Sequence, residues 1–202
     1  NLGRYGLTLR LLPNGQVLAA GGFDGVNQRL AAAELYNPAD GIWTAINPLN
    51  LPRDGHTATL LPSGKVLVAG GVGTNTTTIN SVELFDPPTG TWTITNSMNT
   101  PRGDHTATLL PNGKVLVTGG AAIGNSAELY DPASGLWTTT STLNASRYSP
   151  TATMLANGRV LVVGGLSTGG FLSSTELYDS ANGTWARIAS LPSTRDAHTA
   201  TL

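Results

Sequence analysis

The stretch RDGHTATLLPSGKVLVAGG, Arg53 to Gly71, decides the fold because the chain repeats it. It returns as RGDHTATLLPNGKVLVTGG from Arg102 and as RYSPTATMLANGRVLVVGG from Arg147. A more divergent copy, RYGLTLRLLPNGQVLAAGG, starts at Arg4, and RDAHTATL follows from Arg195. Self-similarity at a fixed period is the signature of a repeat architecture, so the chain is interpreted as copies of one structural unit.

Four features keep their order in every copy: an Arg, a Gly-Gly pair, a Glu and a Trp. The distances between them can therefore be compared from copy to copy. From Arg to the second glycine of a Gly-Gly pair is 18 positions in all four copies, from Glu to Trp 9, and from Trp to the next Arg 10. From the second glycine to Glu the distances are 12, 12, 8 and 11. Surface loops tolerate such changes in length, so the segment after each Gly-Gly is predicted to be an exposed loop.

Within a repeat the pattern predicts four short antiparallel strands. The Thr-rich HTATLL is followed by a P-S-G or P-N-G hairpin turn, and KVLVAGG is an apolar run typical of a strand covered on both faces. After the variable loop, SVELFD ends in a DPPTG turn, and TWTIT is Thr-rich. Such a sheet buries its faces only by stacking, which favours a β-propeller. A β-sandwich is the alternative, but it does not explain the common period.

These residues resemble the kelch repeat: Arg-x-x-His opens the first strand, Gly-Gly closes the second, Glu-Leu-Tyr-Asp lies on the third and Trp on the fourth. The variant HTATLLPNGKVLVxGG is similar to kelch arrays of bacterial surface or exported proteins, including the propeller part of galactose-oxidase-like proteins. The resemblance implies an all-β kelch-type propeller with four four-stranded antiparallel blades plus a surplus first strand, as part of a larger propeller. Pairing of that strand with another copy, or a ragged end, are the alternatives.

The resemblance covers residues 1–202 as one domain, with repeats at about 4–52, 53–101, 102–146 and 147–194 and a partial repeat at 195–202. It implies that the first strand of each repeat lies nearest the central axis. It also implies that the loops joining strands two and three, and four and one, share one face. That face carries the variation in length and is the expected recognition surface.

Composition excludes several classes of partner. Only 11% of the 202 residues are charged and the net charge is -1, so we expect no nucleic-acid partner and no polybasic contact with a membrane. No apolar run is long enough to span a bilayer, and membrane insertion is not expected. With no cysteine there is no disulfide or thiolate site. The chain is expected to be soluble, processed or excised, and extracellular or at the cell surface.

His56, His105 and His198 occupy equivalent positions, which raises the hypothesis of a metal on the axis. The other copies have Leu7 and Pro150 there, so a recurring structural hydrogen bond is favoured, and no metal or cofactor is predicted.

The recurring Arg and Glu could form a ring that grips an acidic or sugar ligand. Because they recur in lockstep, an Arg–Glu pair that also satisfies backbone carbonyls is favoured. The resemblance implies that each Trp packs between blades. The residues assigned as structural are Arg53, Arg102, Arg147, Arg195, Glu34, Glu83, Glu128, Glu176, Trp43, Trp92, Trp137 and Trp185.

No catalytic constellation is found, and the chain is predicted not to be an enzyme. H-E-x-x-H and S-x-x-K are absent, and PSGKV and PNGKV lack the other residues of a phosphate loop. The glycine pairs are instead expected to let neighbouring backbones approach closely. Galactose oxidases need a Cys–Tyr crosslink beside copper, which a chain without cysteine cannot make. The spacing from Asp131 to Trp137 also departs from that of sialidase Asp-boxes.

The variable loops therefore hold the candidate binding residues, and two aromatic side chains in polar loops resemble recognition hot spots. The candidates are Phe23, Asp24, Asn27, Arg29, Asn75, Asn80, Ile123, Asn125 and Phe171.

Three functions remain open. The first is a non-catalytic module that binds protein or glycan through the loops after Gly-Gly. The second is a propeller domain of a larger enzyme, and the third is a surface-assembly protein that forms homo-oligomers through edge strands. Asn75, Asn144 and Asn182 begin N-x-S/T sequons, which chance alone could supply in a chain of this composition.

Overall fold

The computed structural model describes residues 3–26, 28–120 and 124–201. Throughout these residues the regular structure is β, arranged as four four-stranded antiparallel sheets, one for each repeat. Within each repeat, the four main strands are neighbours in chain order, so each sheet is a simple meander. The predicted all-β fold of kelch-type blades is confirmed. No helix in the described residues could cross a membrane.

The chain divides into two compact units, Asn1–Gly103 and Asp104–Leu202. The first unit holds two repeats. Its first sheet contains β1 (Thr8–Leu11), β2 (Val17–Ala20), β3 (Ala33–Asn37) and β4 (Ile42–Ile46). Its second sheet contains β5 (Thr57–Leu60), β6 (Val66–Ala69), β7 (Val82–Asp86) and β8 (Thr91–Thr95).

The second unit holds the other two repeats. The third sheet contains β9 (Thr106–Leu109), β10 (Val115–Thr118), β11 (Ala127–Asp131) and β12 (Leu136–Thr139). The fourth contains β13 (Thr151–Met154), β14 (Arg159–Val163), β17 (Thr175–Asp179) and β18 (Thr184–Ile188). The variable loop of this repeat forms an unpredicted two-stranded hairpin, β15 (Leu166–Ser167) with β16 (Gly170–Phe171).

The inner hairpin of each repeat is set by its turn glycine. In the second repeat the amide of Gly64 donates to the carbonyl of Leu61 at 2.9 Å, and the amide of Leu61 donates to the carbonyl of Lys65 at 2.8 Å. Gly64 has φ +82°, a left-handed conformation that a side chain disfavours. The turn therefore fixes the register that pairs Leu60 with Val66.

The apolar core of the first unit lies where its two sheets pack face to face. Aliphatic residues of the first repeat meet the inner strands and the aromatic residue of the second. This cluster includes Leu12, Leu18, Leu49, Val66, Val68 and Phe85. The second unit repeats the arrangement with Leu110, Leu116, Leu143, Val160, Val162 and Tyr178. Every residue of the apolar runs in β6 and β10 is buried.

The Gly-Gly pair joins each repeat to the start of the next. The amide of Gly22 donates to the carbonyl of Arg53 at 2.8 Å. A Cβ on Gly21 would lie 2.5 Å from that carbonyl oxygen and 2.6 Å from Cε1 of His56. The close backbone approach predicted for the glycine pairs is thus confirmed at this joint.

Residues 195–201 differ in one detail from the expected first strand, because they form no strand. The other first strands each pair with the second strand of their own repeat. The segment nevertheless keeps the joint contact, since the amide of Gly165 donates to the carbonyl of Arg195 at 2.8 Å.

We predict that Gly21→Ala destabilises the protein far more than Gly15→Ala. Both glycines have positive φ, +65° and +83°, so both substitutions carry the left-handed penalty of roughly 1–2 kcal/mol. Only Gly21 faces neighbouring atoms, whereas nothing lies within 4 Å of a Cβ on Gly15. Urea unfolding should show an additional loss for Gly21→Ala of roughly 1–3 kcal/mol from overpacking. Equal losses in the two variants would contradict the close joint.

Candidate recognition surface

A buried ion pair fixes the start of the second repeat. Nη2 of Arg53 lies 2.8 Å from Oε1 of Glu83, and both side chains are fully buried. Nη1 of the same guanidinium donates to the carbonyls of Gly70 and Ser81, each at 2.9 Å. Burial lowers the pKa of Arg53, although the charge of Glu83 and its hydrogen bond act in the opposite direction. One arginine therefore satisfies a carboxylate and two carbonyls, one directly after β6 and one directly before β7.

Glu83 also holds the linker that comes from the first repeat. The backbone amide and the side-chain nitrogen of Asn50 donate to Oε2 at 2.7 and 2.8 Å, and the amide of Leu51 donates to Oε1 at 3.1 Å. The carboxylate is consequently occupied by partners from two repeats. This geometry uses the Arg–Glu pair inside the fold rather than at an exposed ligand site.

The same network recurs elsewhere in the chain. Nη2 of Arg147 lies 3.0 Å from Glu176, which accepts from the backbone amide of Asn144 at 2.6 Å. In the first repeat, Arg4 pairs with Glu34 at 2.7 Å. Arg102 and Glu128 are also buried. Arg195 is exposed and donates to the hydroxyl of Ser193. Their assignment as purely structural residues stays a prediction.

His56 and His198 each contact a threonine of the preceding repeat. Nε2 of His56 lies 2.9 Å from Oγ1 of Thr8, and Nε2 of His198 lies 3.0 Å from Oγ1 of Thr151. His105 is buried. Within the described residues, no three potential metal-ligating side chains come together. The recurring hydrogen bond favoured from the sequence is present at His56 and His198.

Each tryptophan packs on the aromatic residue of the third strand, and Trp92 and Trp185 also reach the preceding linker. The rings of Phe85 and Trp92 are 4.8 Å apart, and Nε1 of Trp92 donates to the carbonyl of Asn47 at 2.8 Å. Nε1 of Trp185 likewise donates to the carbonyl of Ser141 at 3.0 Å. Trp92 and Trp185 therefore join adjacent repeats, and only Trp43 is substantially exposed, at 39%.

The loop surface of the first unit contains an aromatic and charged cluster. The rings of Tyr5 and Phe23 meet edge to face at 5.4 Å, and the guanidinium of Arg29 lies over Phe23 at 4.9 Å. Arg29 also donates to Asp54 at 3.0 Å, with both side chains mostly buried. Asp24 accepts the amides of Val26 and Gln28, which orders the loop. We call Tyr5, Phe23, Arg29 and Asp54 the aromatic cluster.

A small cleft of about 150 Å³ lies beside the second variable loop. It is lined by Leu51, Pro52, Gly73, Thr74, Asn75, Thr77 and Ile79. Asn75 is exposed at the tip of this loop. Asn80 instead donates its amide nitrogen to the carbonyl of Met98 at 2.9 Å. Asn75 therefore faces solvent, whereas the side chain of Asn80 holds the linker within its own repeat.

The second unit has its own loop surface. Phe171 is 57% exposed and pairs across the short hairpin with Leu166. The hydroxyl of Tyr148 donates to a carboxylate oxygen of Asp104. Asn125 donates its amide nitrogen to the carbonyl of Leu143 at 2.7 Å, as Asn80 does in the second repeat. Two sequence candidates, Asn27 and Ile123, lie outside the described residues.

Sequence reasoning missed Tyr5, Asp54, Asp104 and Tyr148, which stand one or two positions after the recurring Arg. The residue two positions after Arg is left-handed in every copy, with φ +66° at Gly6, +59° at Gly55 and +51° at Asp104. The amide of Gly55 donates to the carbonyl of Gly6 at 2.9 Å, so this turn also links repeats. The available signal was variation within an otherwise constant stretch: Tyr, Asp, Gly, Tyr and Asp follow successive arginines.

The comparisons with known proteins agree with this geometry. The profile of the KLHDC2/KLHL20/DRC7 Kelch-repeats domain matches residues 6–202. The chain belongs to the kelch-repeat family. Kelch-repeat domains generally mediate protein binding and scaffolding. No curated protein matches the chain significantly.

The buried kelch Arg–Glu pair is predicted to be essential for stability. Arg53→Met keeps the aliphatic volume but leaves Glu83 buried without its guanidinium, which costs about 3–5 kcal/mol. Lys65→Met is the matched control, because Lys65 pairs with Asp86 at 3.1 Å while remaining 45% exposed. Breaking that surface pair costs at most about 1 kcal/mol. Denaturant unfolding measures both, and a similar small loss in both variants would argue against a structural role for Arg53.

His198 is predicted to make the kelch array less stable in acid. Burial, followed by the charge of Arg195, lowers the pKa of His198 below its ordinary value of 6.5, while Asp196 opposes the shift. The unfolded chain therefore takes up a proton at a higher pH than the folded chain does. This contribution to stability is complete above pH 6.5 and is lost as the pH falls from there towards the folded pKa.

NMR titration of the His198 ring measures that pKa directly. His198→Gln keeps a polar side chain near Thr151 but removes the titration, so its unfolding free energy should vary less with pH below 6.5. A ring that titrates at or above the ordinary value would refute the prediction.

Proposed function

We propose that this chain is a non-catalytic kelch module that binds a protein partner through its loop surfaces. The observation that carries the proposal is the aromatic cluster. Tyr5 is 60% exposed while its ring rests against Phe23, and Phe23 in turn lies under Arg29. A large aromatic surface that is already held in place loses little conformational entropy on binding.

The chemistry of the cluster favours a partner with an apolar anchor and a polar rim. Tyr5 and Phe23 offer aromatic area, and aromatic and Arg residues are enriched in binding hot spots. The Arg29–Asp54 pair restrains the cation over the ring, so the surface is largely preorganised. Exposed Phe171 gives the second unit a separate aromatic contact.

The proposal of a non-enzyme rests on how the polar groups are used. Arg4, Arg53 and Arg147 each pair with a glutamate and bond to the backbone. His56 and His198 bind threonine hydroxyls. The alternative is that the chain is the propeller domain of a larger galactose-oxidase-like enzyme. Bound copper with oxidase activity in the full-length protein would favour that alternative. An extracellular or cell-surface location, of the bacterial exported type, belongs to the same proposal and rests on the sequence resemblance.

A glycan is the second candidate ligand. The observation in its favour is the small cleft, where Thr74, Asn75 and Thr77 place hydroxyl and amide groups beside the apolar side chains of Leu51 and Ile79. Sugars present a similar mixture of hydroxyls and apolar ring faces. A glycan array probes this candidate separately, and loss of a signal on Asn75→Ala would place the ligand in the cleft.

The protein-binding proposal is tested with a random-peptide phage library selected on the purified chain. Phe23→Ala should reduce binding of selected peptides at least tenfold, roughly the effect of a hot-spot residue. Ile94→Ala is the control, because Ile94 is 59% exposed but lies on the outer strand β8. Peptides that bind Phe23→Ala, Tyr5→Ala and Phe171→Ala as tightly as the unchanged chain would contradict the proposal.

A further inference from the structure

The loop surface of the second unit is built on the same backbone frame as the aromatic cluster of the first unit. Leu30 and Leu172 hold equivalent positions, because the amide of each donates to the second glycine of its Gly-Gly pair at 2.8 Å. The carbonyl of each also accepts the amide of the next recurring arginine. The residue before this leucine is Arg29 in the first repeat and Phe171 in the fourth. Phe171 therefore occupies the position that Arg29 has in the first unit.

The acid that Arg29 binds has an equivalent in the second unit. Asp54 and Asp196 each directly follow a recurring arginine that bonds to this leucine. Asp54 pairs with Arg29 at 3.0 Å. Because this partner comes from the preceding variable loop, the corresponding position for Asp196 is that of Phe171. Asp196 thus has an aromatic residue in place of a guanidinium, and it forms no ion pair with any residue that the structure describes.

A second carboxylate lies beside Tyr148. The hydroxyl of Tyr148 donates to the side chain of Asp104, and the amide of Ser149 donates to the carbonyl of Asp104 at 3.0 Å. The amide of Ala197 donates in turn to the carbonyl of Ser149 at 3.3 Å. The segment that contains Tyr148 therefore lies between the segments that carry Asp104 and Asp196.

Three apolar or aromatic side chains join the two acids into one surface. Leu166 pairs across an antiparallel bridge with Tyr148 and across the short hairpin with Phe171. All three side chains are exposed, Phe171 most of all. We call Asp104, Tyr148, Leu166, Phe171 and Asp196 the acidic face. Aromatic ring faces attract cations, and a carboxylate matches the planar fork of a guanidinium, so the acidic face has the chemistry that binds arginine.

The segments around the acidic face supply little positive charge to neutralise it. The variable loops of the second unit, residues 121–126 and 166–174, contain no charged residue. Arg102 and Arg147 are buried, and Arg195 donates to a serine hydroxyl rather than to a carboxylate. The acidic face is therefore complementary in charge to a cationic partner.

We propose that the acidic face binds an arginine side chain of a protein partner. The guanidinium stacks on Phe171 and pairs with Asp196, and the other carboxylate of the face adds a second negative charge. The first unit makes the same kinds of contact internally, because Arg29 lies over Phe23 and pairs with Asp54. This inference rests on the proposed function, since it names the partner chemistry of one of the two loop surfaces.

Peptides selected by phage display on the purified chain are the probe, synthesised with a fluorophore and titrated by fluorescence anisotropy. Peptides whose binding is lost on Phe171→Ala should contain an arginine, and replacing it with glutamine should weaken binding at least tenfold. Asp196→Asn and Asp104→Asn should each weaken the same peptides at least threefold and reduce the dependence of binding on salt. Asp40→Asn is the matched control, because it removes the same charge from an exposed turn of the first sheet and should leave binding unchanged.

Phe171→Arg provides a second test. By equivalence with Arg29, the introduced guanidinium lies beside Asp196 and occupies the place of the partner's arginine. The peptides should therefore lose at least tenfold in affinity, while circular dichroism shows an unchanged β-structure and no lower melting temperature.

The outcomes separate this inference from the proposed function. Absence of any binding peptide, or binding that survives every loop variant, contradicts the proposed function and the inference together. Peptides that bind through Phe171 without an arginine, or that are unaffected by both Asp104→Asn and Asp196→Asn, overturn the inference alone. Peptides that bind only through Tyr5 and Phe23 also overturn it and leave the proposed function standing.

Discussion

The structure depends on the way one arginine is used twice at the start of a repeat. The guanidinium of Arg53 is buried against Glu83 and the carbonyl of Gly70, while its own carbonyl accepts the amide of Gly22 in the preceding repeat. The side chain therefore closes its own sheet, and the backbone joins that sheet to the one before. A buried charge is tolerated only when it is paired and hydrogen-bonded, which explains why Arg, Glu and Gly-Gly recur together.

The joint also explains where the repeats are allowed to vary. The amide of Gly22 and the close approach of Gly21 leave no space for side chains at the glycines themselves. The segment immediately after them is a surface loop, which can change in length without disturbing the core. The aromatic cluster is assembled at this point, because Phe23 follows the glycine pair and Asp54 follows the next arginine. The backbone contact between a glycine pair and the next arginine thus places variable side chains after both segments.

Much of the fold could be predicted from the sequence, and less of the candidate site. Constant spacing between Arg, Gly-Gly, Glu and Trp identified the sheets, since each landmark makes a contact inside the repeat or with its neighbour. Variation in loop length pointed to Phe23, Arg29 and Phe171, which lie in the segments after the glycine pairs, although Phe171 belongs to the short strand β16 and the role of all three in binding stays a prediction. Asn80 and Asn125 looked equally available, yet each bonds a linker carbonyl. Tyr5 and Asp54 were overlooked because they lie inside a stretch that otherwise repeats.

The sequence by itself determined the repeat, its four strands and the recurrence of Arg with Glu. Contacts that are made once in every repeat need the same residue at the same position of each copy, and this produces a periodic sequence. Only the tertiary structure decided which side chains of different repeats meet at the loop surface. Arg29 and Asp54 are 25 positions apart, and they pair because the contact between Gly22 and Arg53 brings the first variable loop next to the start of the second repeat. The tertiary structure also decided that Leu9 and Leu11 are exposed while Val66 and Phe85, in the corresponding face, are buried. Burial depends on whether a neighbouring sheet covers a face, and a residue pattern repeated along the chain does not record that.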